Sequence, residues 1–133
     1  MTPDGIPTSD WDHVHELAVS IANASTQSDT VLSAAKTEQL ICFLRELQTR
    51  YGNLPSIVGT LGDYIDDEVE RYDLYAQGVA EARRIGEQKN LLILLESILE
   101  LECLDSEQRC FWEAQLNAVR INSTVTEGPT SAS

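Results

Sequence analysis

The residues with metal-ligand character lie close together near the start of the chain: Asp10, Asp12, His13, His15 and Glu16. Zinc is held by such side chains when helical spacing brings two to one side and further ligands arrive from elsewhere. His13 with Glu16, or Asp12 with His15 or Glu16, meets that spacing. His13 and His15 project about 200° apart on a helix and cannot share one ion. No third histidine exists, and Cys42, Cys103 and Cys110 each fall on what reads as an apolar helix face. The cluster is therefore read as a solvated helix start whose acids complement the helix dipole, and no metal is expected.

A denser group of carboxylates follows. Asp63, Asp66, Asp67, Glu68, Glu70 and Asp73 place six acids in 11 residues, offset only by Arg71. A calcium loop needs ligands at alternating positions around a glycine turn, and that pattern is missing. Carboxylates that work as acid and base need a cleft that separates their pKa values, which a solvent-facing turn does not supply. The chain has no phosphate-binding glycine loop, nucleophile elbow or Cys–His pair. The expectation is a protein that is no enzyme and carries no cofactor.

Charge limits the partners. There are 22 acidic and 9 basic residues, a net charge of −13. Such a surface is repelled by nucleic-acid phosphates and anionic lipid, so neither is expected as a partner. A basic protein is the natural complement. Three cysteines without framework spacing fit reduced thiols and a cytoplasmic setting. The polar N-terminus has no signal-peptide pattern, and the longest apolar-rich run, 91–104, is broken by Glu96, Glu100 and Glu102 and spans no membrane.

These residues have to be positioned by helices, because no strand pattern occurs anywhere in the chain. The expected organisation is a flexible N-terminus over 1–9, one helical domain over 10–121 and a disordered tail over 122–133. Six helices are predicted. The first, from about Asp10 to Ala24, starts with a Ser9–Asp12 capping box. The second, Thr30 to Tyr51, carries a face of Leu40, Phe43, Leu44 and Leu47 and stops at Gly52; its first half is the less regular part. The third starts at Pro55 and holds Gly59 and Gly62, which imply a closely packed neighbour. The fourth is capped by Asp67 with Glu70 and stopped by Gly86. The fifth, about Lys89 to Leu101, is apolar on most sides. The sixth is capped by Asp105 with Gln108 and is expected to bury Phe111, Trp112, Leu116 and Val119.

A helical hairpin recurs at an offset of about 38 residues: Leu61 falls on Leu99, Asp67 on Asp105, Arg71 on Arg109 and Leu74 on Trp112. Repeats of this length usually build stacked helix pairs. The stretch from Leu54 to Ile85, with Leu61-Gly62, Tyr75 and Ala80-x-Ala82-Arg83-Arg84-Ile85-Gly86, resembles tetratricopeptide (TPR) repeats. It departs from them in its longer period, in Gly78 where alanine is usual and in lacking the closing proline. The resemblance implies an all-α chain of about six antiparallel helices, stacked as three hairpins in a right-handed TPR-like superhelix. The alternative is a compact bundle in which the offset is coincidence. In size, charge and lack of chemistry, the chain is also similar in type to small acidic bacterial immunity proteins and antitoxins.

The expected function is accordingly protein binding: neutralisation of a basic partner, for instance a toxin. The alternative is a self-associating scaffold or chaperone-like adaptor, with a homodimer as its natural form. Acids at the turns within hairpins should line one edge. Contact is assigned to Asp63, Tyr64, Asp66, Asp67, Glu68, Glu70 and Asp73, joined by Asp105 and Glu107. Tyr64 and Tyr72 could serve as aromatic anchors or belong to the core.

Overall fold

The structure is a computed structural model; it describes the backbone over residues 1–132 and side chains through Ile121. The tail over 122–133, expected to be disordered, lies outside the fully described residues. Six helices follow one another, α1 (Thr8–Thr26), α2 (Thr30–Tyr51), α3 (Pro55–Tyr64), α4 (Glu68–Ile85), α5 (Gln88–Leu99) and α6 (Ser106–Ala132), with no strand among the described residues. The chain is all-α. Each odd-numbered helix packs on the even-numbered one after it, and successive pairs join through α2 on α3 and α4 on α5. Helix α3 also reaches α5.

The stop and start signals act as local chemistry dictates. Gly86 takes up φ 72°, and the backbone there folds back to Ala82 and Arg83. That left-handed geometry is easiest for glycine. Asp105 and Gln108 form a reciprocal capping box: the Gln108 N–H donates to Asp105 (2.7 Å) and the Asp105 N–H to the Gln108 side chain (3.0 Å). Asp29 caps α2 by accepting from the Leu32 N–H at 3.0 Å, and α2 runs unbroken through its irregular first half. Two expected caps differ. Helix α1 begins at Thr8 behind Pro7, without a side-chain cap. Asp67 caps α4, but Glu70 turns away to bind Arg45.

The N-terminal stretch was expected to be flexible. In the structure Ile6 is fully buried among Val14, Leu17 and other residues of the first core cluster. Asp4 accepts from the Ser56 N–H (2.6 Å) and hydroxyl (2.8 Å), so it supplies the cap that α3 lacks from its own flank. One apolar residue and one carboxylate thus dock a segment whose proline and glycine content suggests mobility.

Two apolar clusters form the interior. One joins α1, α2 and α3 with Leu74 of α4, Leu44 and Leu61 being fully buried; the other joins α4, α5 and α6, with Leu95 fully buried and Trp112 7% exposed. Phe43, on the apolar face expected to turn inward, and Leu99 are only partly buried. Phe111 is a clear correction: it is 54% exposed, because Trp112, Leu116 and Val119 define the inward face of α6 and place residue 111 off it. The three cysteines are also corrected, since all are exposed and Cys103 lies in the turn before α6. Ile93 likewise leaves one side of α5 open.

The α3 glycines explain how the clusters meet. A Cβ on Gly62 would stand 2.5 Å from the Tyr75 ring, and one on Gly59 would stand 3.1 Å from a Leu94 methyl. Gly78 of α4 faces the same leucine, at 2.8 Å, and Val58 at 2.9 Å. Leu94 of α5 therefore seats between glycines on two different helices. Gly62→Ala gains roughly 1 kcal/mol of helix propensity but must displace an anchored ring, at a cost of about 1–3 kcal/mol. Urea unfolding followed by circular dichroism should show a net loss of stability in this variant.

Candidate partner-binding surface

The structure divides the nine residues assigned to partner contact. Tyr64, Asp66, Asp67 and Glu70 come together on one groove of about 550 Å³, between α2 and the α3–α4 turn. Its other walls are Ala34, Thr37, Glu38 and Ile41 of α2, with Ile65 beside Tyr64. Four carboxylates thus stand around a patch of alanine, isoleucine and tyrosine. The α2 contribution was missed in the sequence. Its signal is present, because Ala34, Glu38 and Ile41 have i, i+4, i+7 spacing on a face adjoining Leu40, Leu44 and Leu47.

The rim acids differ in how far they are committed. Asp67 accepts from the Val69 N–H at 3.0 Å, and Glu70 from Arg45 at 2.9 Å. Glu38 and Asp66 are exposed and make no hydrogen bond or ion pair among the described residues. Among the described residues nothing pairs with their charge.

The other assigned residues lie elsewhere. The Glu68 carboxylate accepts from the N–H groups of Glu102 and Cys103, at 2.8 and 3.0 Å, which pins the α5–α6 turn to the start of α4. Asp105 caps α6, while Asp73 and Glu107 are exposed outside the groove. Glu68 ties the turns of the second and third hairpins together, so the acid between them is structural. Desolvation and the neighbouring Glu68 carboxylate hold the Cys103 thiol above its ordinary value. Tyr72 belongs to the core side: its hydroxyl accepts from the Trp112 indole N–H at 3.2 Å, and the two rings meet edge to face.

Asp63 faces a second, smaller cavity of about 220 Å³, between the N-terminal segment, α3 and α5, also lined by Trp11, Lys89, Asn90 and Ile93. The Tyr75 hydroxyl donates to Asp63 at 2.6 Å, Ser56 donates to Asp4, and Asn90 donates to Ser56 at 3.3 Å. The polar groups of this cavity are mostly bound to one another, which argues for a structural seam. Desolvation raises the Asp63 pKa, opposed by the tyrosine hydrogen bond and by Arg71. Desolvation and the Asp63 carboxylate push Tyr75 upward.

Of the N-terminal group, His13 stands edge-on to Phe43, with ring centroids 4.5 Å apart, and 3.8 Å from Glu16. Asp10 accepts from the Tyr51 hydroxyl at 2.6 Å and ties α1 to the end of α2. Among the described residues, no helix is long and apolar enough to cross a membrane. The chain matches no protein-family model, and comparison with curated proteins and solved structures gives no significant match.

The Asp63–Tyr75 pair has a signed consequence. A carboxyl whose folded pKa is raised binds its proton more tightly in the folded state. Stability is therefore lost as pH climbs from the ordinary value of 3.8 through the folded pKa. Asp63→Asn keeps an acceptor for Tyr75 and removes the charge. It should be at least as stable as the parent at pH 7 and should flatten the acid side of the stability curve. Tyr75→Phe removes the hydrogen bond to a carboxylate that is itself solvent-exposed and should cost about 0.5–1.5 kcal/mol at pH 7. Thermal melts of both variants between pH 4 and 7 check the sign; a large loss in Asp63→Asn would show that the charge is stabilising instead.

Proposed function

We propose that the chain is a binding module, of the TPR-like type, whose α2–α3–α4 groove takes a basic segment of another protein. In this reading it acts as an acidic immunity protein or antitoxin does, by direct masking, in the cytoplasm and without turnover. The observation that carries the proposal is the groove itself: Glu38, Asp66, Asp67 and Glu70 around Ala34, Ile41 and Ile65. A lysine or arginine laid into such a groove rests its methylene stem on the apolar floor while its head reaches the rim carboxylates. Glu38 and Asp66 are free to make those bonds, and Tyr64 offers a flat anchor with few rotamers to lose. The net charge of −13 adds a long-range field that draws a cationic partner in.

Capture from a lysate of the source cell tests this directly. The wild-type chain should retain a basic protein that rising salt releases. Glu38→Lys with Asp66→Lys should leave the fold intact, since neither residue is bonded within it, and should slow association with the captured protein by about 10-fold or more at low salt. Much of the salt dependence should go with it. Unchanged association kinetics in the double variant would remove the groove as the docking site. Glu68 is unsuited to this test, because its reversal would also release the α5–α6 turn.

A further inference from the structure

One cation stands at the end of the acidic groove. Arg45 lies one helical turn beyond Ile41 on α2. Its guanidinium donates to the Glu70 carboxylate at 2.9 Å and to the Gln48 side chain at 3.2 Å. Glu70 in turn lines the groove. One of its oxygens therefore already holds a guanidinium, and the other accepts nothing among the described residues. Both partners are open to water, the Arg45 side chain being 43% exposed and that of Glu70 47%. Exposed pairs of this kind favour the closed state by only about 1.4- to 5-fold, so an incoming cation can displace Arg45. Gln48 then keeps the released side chain beside α2.

Three features of the groove select the cation that takes over. The half-buried Tyr64 lines it, and a flat guanidinium stacks on such a ring where an ammonium has no plane to offer. The floor of Ala34, Ile41 and Ile65 strips water from whatever rests on it, which costs the weakly hydrated guanidinium less than the ammonium. Rim carboxylates come from separate elements: Glu38 from α2, Asp66 and Asp67 from the α3–α4 turn, and Glu70 from α4. A rigid fork of five donors is suited to bridging two of them. Arg45 demonstrates the fit, since it divides its own fork between Glu70 and Gln48.

We infer that the groove selects arginine over lysine and that Arg45 is its resident competitor: the partner's docking arginine displaces Arg45 from Glu70 and stacks on Tyr64. The inference rests on the groove being the docking site and names the residue type that docks there.

Octa-arginine and octa-lysine carry equal charge and serve as probes, with affinity for the full chain read by fluorescence anisotropy at physiological salt. The wild type should bind octa-arginine at least about 5-fold more tightly than octa-lysine. Tyr64→Leu, which keeps an apolar group against the core, should reduce that ratio to below about 2-fold. Arg45→Gln should bind octa-arginine about 3–5-fold more tightly than the wild type does. Arg84→Gln removes the same charge about 21 Å along α4 from Glu70, beyond the screening length of about 8 Å. It should alter affinity by less than about 1.5-fold. Equal affinity of the wild type for the two peptides, or an unchanged ratio in Tyr64→Leu, overturns the selectivity. An Arg45→Gln chain that binds no better than Arg84→Gln overturns the competition. Loss of binding in Glu38→Lys with Asp66→Lys assigns the probes to the groove. Binding that persists in that double variant, or a wild type that binds neither peptide, overturns the docking site itself, which is a different failure from the other two.

Discussion

Helix α3 is the joint on which the rest depends. It is ten residues long, too short to persist alone in water, and it contains two glycines that lower its propensity further. Yet it is the helix on which α2, α4 and α5 all converge, and the helix-on-helix contact between the first pair and the remainder runs through α2 on α3. Its stability must therefore be imported. Asp4 caps one end from the N-terminal segment; the Arg71 guanidinium binds the Ile65 carbonyl at 3.0 Å just past the other. The glycines that weaken it in isolation are what allow Tyr75 and Leu94 to close on it. Local propensity is given up so that three helices can share one contact.

The same economy governs the charges. Of the acids crowded around the α3–α4 turn, Asp63 holds a tyrosine, Asp67 caps a helix, Glu68 pins the neighbouring turn and Glu70 holds an arginine. Each exchanges water for fixed donors and contributes to architecture. Arginines act in the opposite sense at helix ends. Arg109 donates to the carbonyls of Leu99 and Leu101, closing α5 much as Arg71 closes α3. Both arginines reach back to carbonyls at or just past the end of the preceding helix, groups that a helix leaves without internal partners. What is left after this internal use is a smaller set of acids, Glu38 and Asp66 chief among them, and these are the ones with charge to offer a partner.

The helices were legible because their signals are local. Gly52, Pro55, Gly86, Asp67 and Asp105 mark ends through backbone chemistry that needs no tertiary information, and the apolar spacing of α2 and α6 names most of the core. The candidate site was legible only in part, because a run of acids in sequence does not say which face each one takes. Tyr64 and Asp66 could be grouped from adjacency, but Glu38 enters from a different helix, and Glu68 is claimed by backbone N–H groups 34 and 35 residues away. Ile6 was missed because one buried residue in a polar stretch has no periodicity. Phe111 was misplaced because α6 has apolar residues on both sides, and hydrophobicity alone cannot tell an inward face from an outward one.

The proposed groove combines two kinds of attraction that respond differently to salt. A cationic segment entering it is drawn in by the field of a chain of net charge −13, and salt screens that field within about 8 Å at physiological strength. Contact with Ala34, Ile41 and Ile65 on the groove floor is left untouched by such screening. Ionic strength therefore weakens the rim more than the floor, and the balance is set by how far the groove's apolar floor, rather than its carboxylate rim, holds the partner.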